Sequence, residues 1–283
     1  MAASAEMELQ GKTALITGVS PGIGSAIAHR LAAAGARILA ADLNAELAEK
    51  AAEELNQAFG EQCALAATAD CTSRASMQAL VKQCAHSLGG PHILICTAAV
   101  FYPPDETGRT TEKEWMRTLE INLLGSYIAA DEAGKQMQTQ QGGGSIVLLS
   151  SANALVPKKG SMAYDTGKAA LNHLVRELAV EYAPRVRVNA VAPASVVEGS
   201  LQFPRERVLS SLKKYGIEHT EEASTQQLRT LLADYYAQRT LLQKRVTPDA
   251  VAEAVFLMAS SYTACTTGHI FPVDAGLAEA FLR

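Results

Sequence analysis

Tyr164 and Lys168 stand at i and i+4 in the run Tyr164-Asp165-Thr166-Gly167-Lys168, within helical patterning over 162–183. That spacing puts both side chains on one helix face. A free phenol titrates at about pH 10. A neighbouring ammonium favours the phenolate, so such a pair can exchange a proton near neutrality. A plain surface Tyr–Lys pair is the bland alternative, because YxxxK is a short motif. Ser151 ends an apolar run thirteen residues upstream. A hydroxyl there can hydrogen-bond the reacting oxygen of a substrate.

A second constellation lies near the start of the chain. The run Thr17-Gly18-Val19-Ser20-Pro21-Gly22-Ile23-Gly24 joins an apolar segment to an Ala-rich helical one. Glycines at such a junction permit a tight turn and close approach of a pyrophosphate to unpaired N–H groups at a helix N-terminus. Gly18, Ser20, Pro21, Gly22, Ile23 and Gly24 are therefore expected at a dinucleotide. Asp42 ends the next apolar run, 18 residues beyond Gly24. A carboxylate there accepts from both ribose hydroxyls and repels a 2′-phosphate. Leu43 and Asn44 follow it, with no Lys or Arg beside it or in the glycine loop, which favours NAD over NADP. Asp42 or Asn44 can also cap the helix expected over 44–58. Asp70 is a candidate for the adenine amino group, or equally a cap for the helix from Ser73.

The elements that must position these residues follow from hydrophobic patterning. Short apolar runs occur at 13–17, 37–42, 63–69, 92–98, 145–150, 186–192 and 269–274. Near-continuous apolar strands suit a parallel sheet covered on both faces. Helical patterns fill 22–34, 44–58, 73–88, 111–139, 162–183 and 247–259. The alternation predicts an α/β fold: a Rossmann-type, doubly wound, seven-stranded parallel sheet forming one catalytic domain over 1–283. Residues 195–246 break the rhythm with polar, helix-like patterns near 205–215 and 221–241. They read as a helical insertion before the last strand. Ligands in open α/β sheets sit outside the carboxyl ends of the strands, so an insertion there is placed to act as a lid, structural decoration being the alternative.

Composition narrows the partners. The 283 residues are 48% hydrophobic and 19% charged, as in an ordinary globular protein. A net charge of −4 leaves no basic footprint for nucleic acid. No run reaches the roughly 18 apolar residues of a membrane span. MAASAEMELQGK has neither a basic nor an apolar signal region and is expected to be a disordered leader. The five cysteines are scattered and the six histidines lack ligand spacing, so free thiols in a reducing, cytoplasmic compartment and no bound metal are expected.

The glycine loop, Ser151, Tyr164, Lys168 and Asn122 in LEINLLGSY together resemble the short-chain dehydrogenase/reductase family over nearly the whole chain. That resemblance implies Tyr164 as general acid/base, with Lys168 lowering its pKa and binding the nicotinamide ribose. It implies Ser151 orienting the substrate oxygen and Asn122 holding a water in a relay through Lys168. It extends the expected cofactor contacts to Cys71, Thr97, Ala98, Pro193, Ser195 and Val196. It also implies a homotetramer, with helices 111–139 and 162–183 packed across subunits. Three positions depart from the family pattern. Cys96-Thr97-Ala98-Ala99 replaces the usual Asn-Asn-Ala-Gly, Pro193-Ala194 replaces Pro-Gly, and Glu198 stands where a threonine usually holds the carboxamide. Glu198 is either a cofactor or substrate contact or an exposed loop glutamate. The segments VPKKGSMAYD, VNAVAPASVVEGS, SLKKYGI and GLAEAFLR are similar to the dehydrogenase portion of bifunctional rhamnulose-1-phosphate aldolase/short-chain dehydrogenase proteins. That likeness implies small hydroxyaldehydes such as lactaldehyde, or related sugars.

Asn153 is expected to face a sugar-like hydroxyl, and Phe203, Leu209, Leu212 and Tyr215 to wall the pocket. Lys158, Lys159, Arg205 and Arg207 offer cations to an anionic substrate group, or form a solvated basic surface. The reading is an NAD-dependent oxidation of a hydroxyl or hydrated aldehyde on a small polar molecule. Reduction of a less polar, 3-oxoacyl-like ketone is the alternative within enzymes. A non-catalytic dinucleotide sensor is the alternative outside them, and it would have no need of Ser151, Tyr164, Lys168 and Asn122 together.

Overall fold

A computed structural model describes residues 8–220 and 222–281. The expected leader falls largely on residues 1–7, outside the described residues. Seven strands form one parallel sheet in the order β3-β2-β1-β4-β5-β6-β7. They are β1 (Thr13–Thr17), β2 (Arg37–Asp42), β3 (Ala64–Thr68), β4 (Ile93–Cys96), β5 (Gly144–Leu149), β6 (Val186–Pro193) and β7 (Ile270–Val273). Order reverses between β1 and β4, which opens a crevice at the carboxyl ends of the strands.

Strand alternation divides the core into two layers. Ala14, Ile16, Ile38, Ala40, Ile93 and Ile95 pack on one face, against α1 (Ile23–Ala33), α2 (Ala45–Phe59) and α9 (Pro248–Ala259). Leu15, Leu39, Ala41, Leu94 and Cys96 point the other way. They meet α3 (Arg74–Leu88), α5 (Ser126–Thr139) and α6 (Met162–Tyr182). Helix starts are set by side-chain caps. Asn44 accepts from the Glu46 N–H at 2.9 Å, Ser73 from Ser76 at 3.3 Å, and Thr111 forms a reciprocal capping box with Glu114. Asp42 and Asp70 are therefore not the caps of α2 and α3. Helix α1 follows its N-cap Gly22 with no side-chain cap; in its first turn the Ser25 N–H donates to the Ser20 carbonyl at 3.3 Å.

The helix expected over 111–139 is interrupted. It runs as α4 (Glu112–Leu119), a π-helical stretch Glu120–Gly125, and then α5. Continuous apolar patterning gives no hint of the wider turn, which contains Asn122. The insertion supplies α7 (Arg205–Lys214) and α8 (Thr225–Gln238), shorter than the expected 221–241. Val197, Val208, Leu212, Leu228, Leu232 and Ala233 give it a small core of its own.

Candidate active site

A cleft of about 1040 Å³ runs along the carboxyl ends of the strands and under the insertion. Gly18, Ser20, Pro21, Ile23 and Gly24 line its β1 side, and Asp42, Asp70 and Cys71 its β2–β3 end. Thr97, Ala98, Ser151, Asn153, Lys158, Tyr164, Lys168, Pro193, Ser195 and Val196 complete the expected set along it. Backbone packing explains the glycine loop. A Cβ on Gly24 would sit 2.0 Å from the Gly18 carbonyl oxygen, and one on Gly18, at φ 87°, 2.7 Å from the Ala98 nitrogen. The bare backbone keeps helix, strand and the 97–99 loop close enough to leave an anion-sized cradle at the α1 N-terminus. Gly22 does not line the cleft. It packs against Gly199, at the start of the insertion.

Asp42 accepts the local Asn44 N–H at 3.1 Å and no other hydrogen bond among the described residues, and its neighbour Leu43 is exposed. Asp70 is tied into its own turn, accepting from the N–H and hydroxyl of Thr72 at 2.8 and 2.7 Å. Burial pushes the Cys71 thiol up to about 11, so that side chain is an inert wall.

At the other end, α6 delivers Tyr164 and Lys168 together. Lys168 is 2% exposed, and its Nζ donates to the Leu149 carbonyl at 2.6 Å and lies 5.6 Å from the Tyr164 ring centroid. Burial pulls its pKa down to about 8. Tyr164 shifts opposite to the sequence expectation. Burial raises its pKa, while the Ser151 hydroxyl and the charge of Arg207 pull it back. Desolvation of a phenolate at this site outweighs the Ser151 hydroxyl and the Arg207 charge. Phe101 packs edge-on against Tyr164 at 5.7 Å between centroids.

Asn153 lines the cleft and also ties its loop to α6. Its Nδ2 donates to Asp165 at 2.7 Å, and its backbone N–H donates to Ser151 Oγ at 3.1 Å. Glu198 lies outside the lining, ion-paired with Arg245 at 3.0 Å, so it is not placed to meet a carboxamide. Arg205 is also outside and donates to the Ala223 carbonyl at 2.7 Å within the insertion. Phe203 and Tyr215 do wall the cleft, but Leu212 and Leu209 turn into the insertion's own core. The insertion is fastened by Gln202, whose Nε2 donates to the Ala99 carbonyl at 3.1 Å, and by Arg229, which bonds the carbonyls of Ser200 and Phe203. Phe101, Gln202 and Tyr236 were not legible as site residues. Their local sequence carries no motif, and tertiary packing alone brings them to the cleft.

Comparison with known proteins decides the family. The short chain dehydrogenase profile matches residues 12–204. The chain belongs to the short chain dehydrogenase family. It is 38% identical over 98% of its length to the uncharacterized oxidoreductase YuxG of Bacillus subtilis, but spans only 39% of that protein. It is 38% identical to the D-threitol dehydrogenase of Mycolicibacterium smegmatis over 68% of this chain and 73% of that one. The crystal structure of gox2181 superposes with a TM-score of 0.80 at 29% identity, covering 97% of this chain and 98% of the other. Short chain dehydrogenases are oxidoreductases that use nicotinamide dinucleotides, and the cleft's glycine cradle and uncapped α1 N-terminus fit such a group.

Two departures from the short-chain dehydrogenase pattern are absorbed locally. The single O–H of Thr97 is shared between the carbonyls of Thr17, at 2.9 Å, and Gly18, at 2.5 Å, which ties the 97–99 loop to the end of β1. Ala99 is not among the positive-φ residues, so this loop has no need of glycine there. Asn122 is fully buried and exchanges two bonds with Val100: Nδ2 to the carbonyl at 2.9 Å, and the Val100 N–H to Oδ1 at 2.8 Å. Its side chain is therefore tied to the 97–101 loop. Among the described residues no group of three or more His, Cys, Asp or Glu is placed to hold a metal. Among them, too, no helix is long and apolar enough to cross a membrane.

Proposed function

We propose that this chain is an NAD-dependent dehydrogenase that oxidises a hydroxyl, or a hydrated aldehyde, of a small polar substrate: a sugar, a sugar derivative or a hydroxyaldehyde such as lactaldehyde. The observation that carries the reading is the convergence of Tyr164, Ser151 and Lys168 on the cleft that also holds Gly18, Gly24 and Asp42. Asp42 supports NAD, because its carboxylate would repel a 2′-phosphate and no cation adjoins it in the chain. Lys158, Arg207, Ser210, Ser211 and Lys214, set among the apolar lining, offer donors to a hydrophilic substrate and support it over a 3-oxoacyl chain. The similarity to a D-threitol dehydrogenase points the same way. So does the sequence likeness to the dehydrogenase portion of bifunctional aldolase/dehydrogenase proteins.

In this reading Ser151 donates to the reacting oxygen and fixes it against the Tyr164 phenol. Tyr164, as phenolate, takes the proton of the substrate hydroxyl. A bound nicotinamide dinucleotide supplies the hydride acceptor and a positive charge that favours that phenolate. Lys168, anchored on the Leu149 carbonyl, keeps its ammonium beside the Tyr164 ring and would hold the ribose of a bound dinucleotide. Asn122 acts by fixing the 97–101 loop. Residues 195–246 act as the substrate lid of a single catalytic domain. The free thiols of all five cysteines support a cytoplasmic enzyme. Exposed Met116, Leu124, Met162 and Val180 on α4, the π-helical stretch and α6 support a homotetramer packed through those faces.

The test follows the NADH absorbance band against a panel of polyols, aldoses, sugar acids and lactaldehyde, with NAD and NADP in parallel. Turnover of a polar substrate by the wild type is expected, with a loss of about 10²–10⁴-fold in Tyr164→Phe while NAD still binds. Undiminished turnover in Tyr164→Phe, or activity confined to apolar ketones, refutes the reading.

A further inference from the structure

The charge of the cleft is uneven along its length: Arg117, paired with Glu120, is the cation lining it near Asp70, and a larger group of cations lines the end beneath the insertion. Asp42 and Asp70 mark the β2–β3 end, whereas Lys158, Lys159, Arg207 and Lys214 line the end beneath the insertion. Glu206 is the carboxylate on that wall, and it is exposed. A chain of net charge −4 thus gathers four cations on one side of the reacting centre.

Arg207 is held in an unusual setting. Its guanidinium lies over the Phe101 ring at 4.2 Å and the Phe203 ring at 4.3 Å from the centroids. One N–H donates to the Gln202 carbonyl. Among the described residues, the charges that act on it most are the phenols of Tyr236, Tyr164 and Tyr215. Burial accordingly pulls its pKa down. A planar cation stacked between two rings is stripped of much of its water yet keeps donors directed along its edge. A desolvated charge of this kind is expensive unless an anion completes it. Phe101 touches both Arg207 and Tyr164, so the two spans bound the guanidinium within about 10 Å of the Tyr164 ring centre.

Lys158 adds a second half-buried cation, repelled by Arg239 and Arg207. The nearby Asp165 is already engaged with Asn153, Ser161 and the Lys158 backbone N–H. Asp165 and Glu279 offset part of that repulsion, but burial and the two arginines outweigh them.

We propose that Arg207, assisted by Lys158, binds an anionic group of the substrate, a carboxylate or a phosphate, carried a few bonds from the carbon that reacts at Tyr164. The substrate class is then a hydroxy acid, aldonic acid or polyol phosphate, not a neutral polyol. This rests on the dehydrogenase reading above. Arg205 and Lys159 have no part in it, since the first lies outside the cleft lining and the second is exposed.

The experiment compares three matched series of three to six carbons: polyols, the aldonic acids of the same length, and the polyol monophosphates. The wild type is expected to prefer one anionic series by at least about tenfold in kcat/KM, and the two anionic series separate carboxylate from phosphate. Arg207→Gln should raise KM for that series by about 10- to 100-fold; loss of its charge near Tyr164 lowers kcat by a common factor in all three series, so the KM rise confined to the anionic series is the diagnostic, and Arg207→Lys should recover part of both. A binding measurement independent of turnover accompanies it. Succinate and glycerol 2-phosphate are titrated against wild type and Arg207→Gln by calorimetry, and the anion of the preferred series should bind the wild type alone. If Arg207→Gln does not fold, Lys158→Gln carries the same comparison, with a smaller rise in KM for the anionic series expected and an equal effect on all series counting against the proposal. Equal losses on neutral and anionic substrates, or a wild-type preference for the neutral series, overturn the proposal and leave the dehydrogenase reading standing. No cofactor reduction with any series overturns both.

Discussion

The carboxylate of Asp165 accepts a hydrogen bond from Asn153 Nδ2 at 2.7 Å, joining the helix that carries Tyr164 to the turn that leaves Ser151. The same carboxylate accepts from the Lys158 N–H at 2.9 Å and from Ser161 Oγ at 2.7 Å. One buried side chain thus sets the whole 151–161 loop against α6, and with it the distance between serine and phenol.

Replacing Asp165 by alanine leaves those donors without their acceptor. Hydrogen bonds to a charged group contribute about 1.5–3 kcal/mol each, and partial relaxation spares some of the total. Asp165→Ala should therefore lose on the order of 3 kcal/mol of unfolding free energy in urea, with kcat falling and NAD affinity held. Asp165→Asn keeps the shape and should recover part of both. An alanine variant as active and stable as the wild type would show that the loop is held by other means.

Lys168 makes stability depend on pH in a predictable direction. Its pKa is about 8 in the folded protein, against 10.5 for the free side chain, because burial disfavours the ammonium. Below about pH 8 it is charged in both states, and folding bears the full desolvation cost. Between 8 and 10.5 the unfolded chain binds more protons, so stability rises with pH through that window. Lys168→Met abolishes the effect, although it orphans the Leu149 carbonyl by an amount independent of pH. Each pH step of one across that window contributes about 1.36 kcal/mol, so the unfolding free energy of the wild type should gain about 3 kcal/mol on that variant between pH 8 and 10.5. Parallel pH dependences would contradict the assignment.

How far all this was legible in the residues depends on the range of the forces involved. The strands were readable because their burial is written locally: TALIT and RILAAD are strands over the same residues in which the apolar runs lie. The Tyr164–Lys168 face was readable because helical spacing alone aligns it. The π-helical turn was not, since Asn122 owes its place to Val100, 22 residues away. Glu198 was expected near the cofactor by register, but its partner Arg245 lies 47 residues on, and no local pattern announces that pairing. The cations of the insertion looked equivalent in sequence. Only the packing of Phe101 and Phe203 separates Arg207 from Arg205.

Asp42 should decide cofactor choice by charge. Its carboxylate ends β2 in the cleft and accepts the Asn44 N–H. Asp42→Ser removes the repulsion of a 2′-phosphate and the acceptor for the ribose hydroxyls together. The ratio of kcat/KM for NAD over NADP should fall by at least about tenfold, a difference of about 1.4 kcal/mol in transition-state stabilisation. Near-equal use of both cofactors by the wild type would remove the basis for the prediction.

Two glycine-to-alanine changes should move stability in opposite directions, although both glycines lie in helices. Alanine is preferred over glycine in a helix interior by about 0.8–1 kcal/mol, which taken alone predicts a gain at each site. At Gly167 the new Cβ would meet Leu119 Cδ2 at 3.4 Å, an ordinary contact, so the gain should be realised as a Tm higher by a few degrees. At Gly24 the same atom would lie 2.0 Å from the Gly18 carbonyl oxygen, with backbone on both sides and no side chain able to yield. Overpacking of that kind costs about 1–3 kcal/mol or more and exceeds the propensity gain. Gly24→Ala should therefore melt lower, and NAD titration should show affinity weakened by about tenfold or more as the cradle opens. Equal Tm shifts in the two variants would mean that α1 slides along β1 without cost, and the close approach assigned to Gly24 would have to be abandoned.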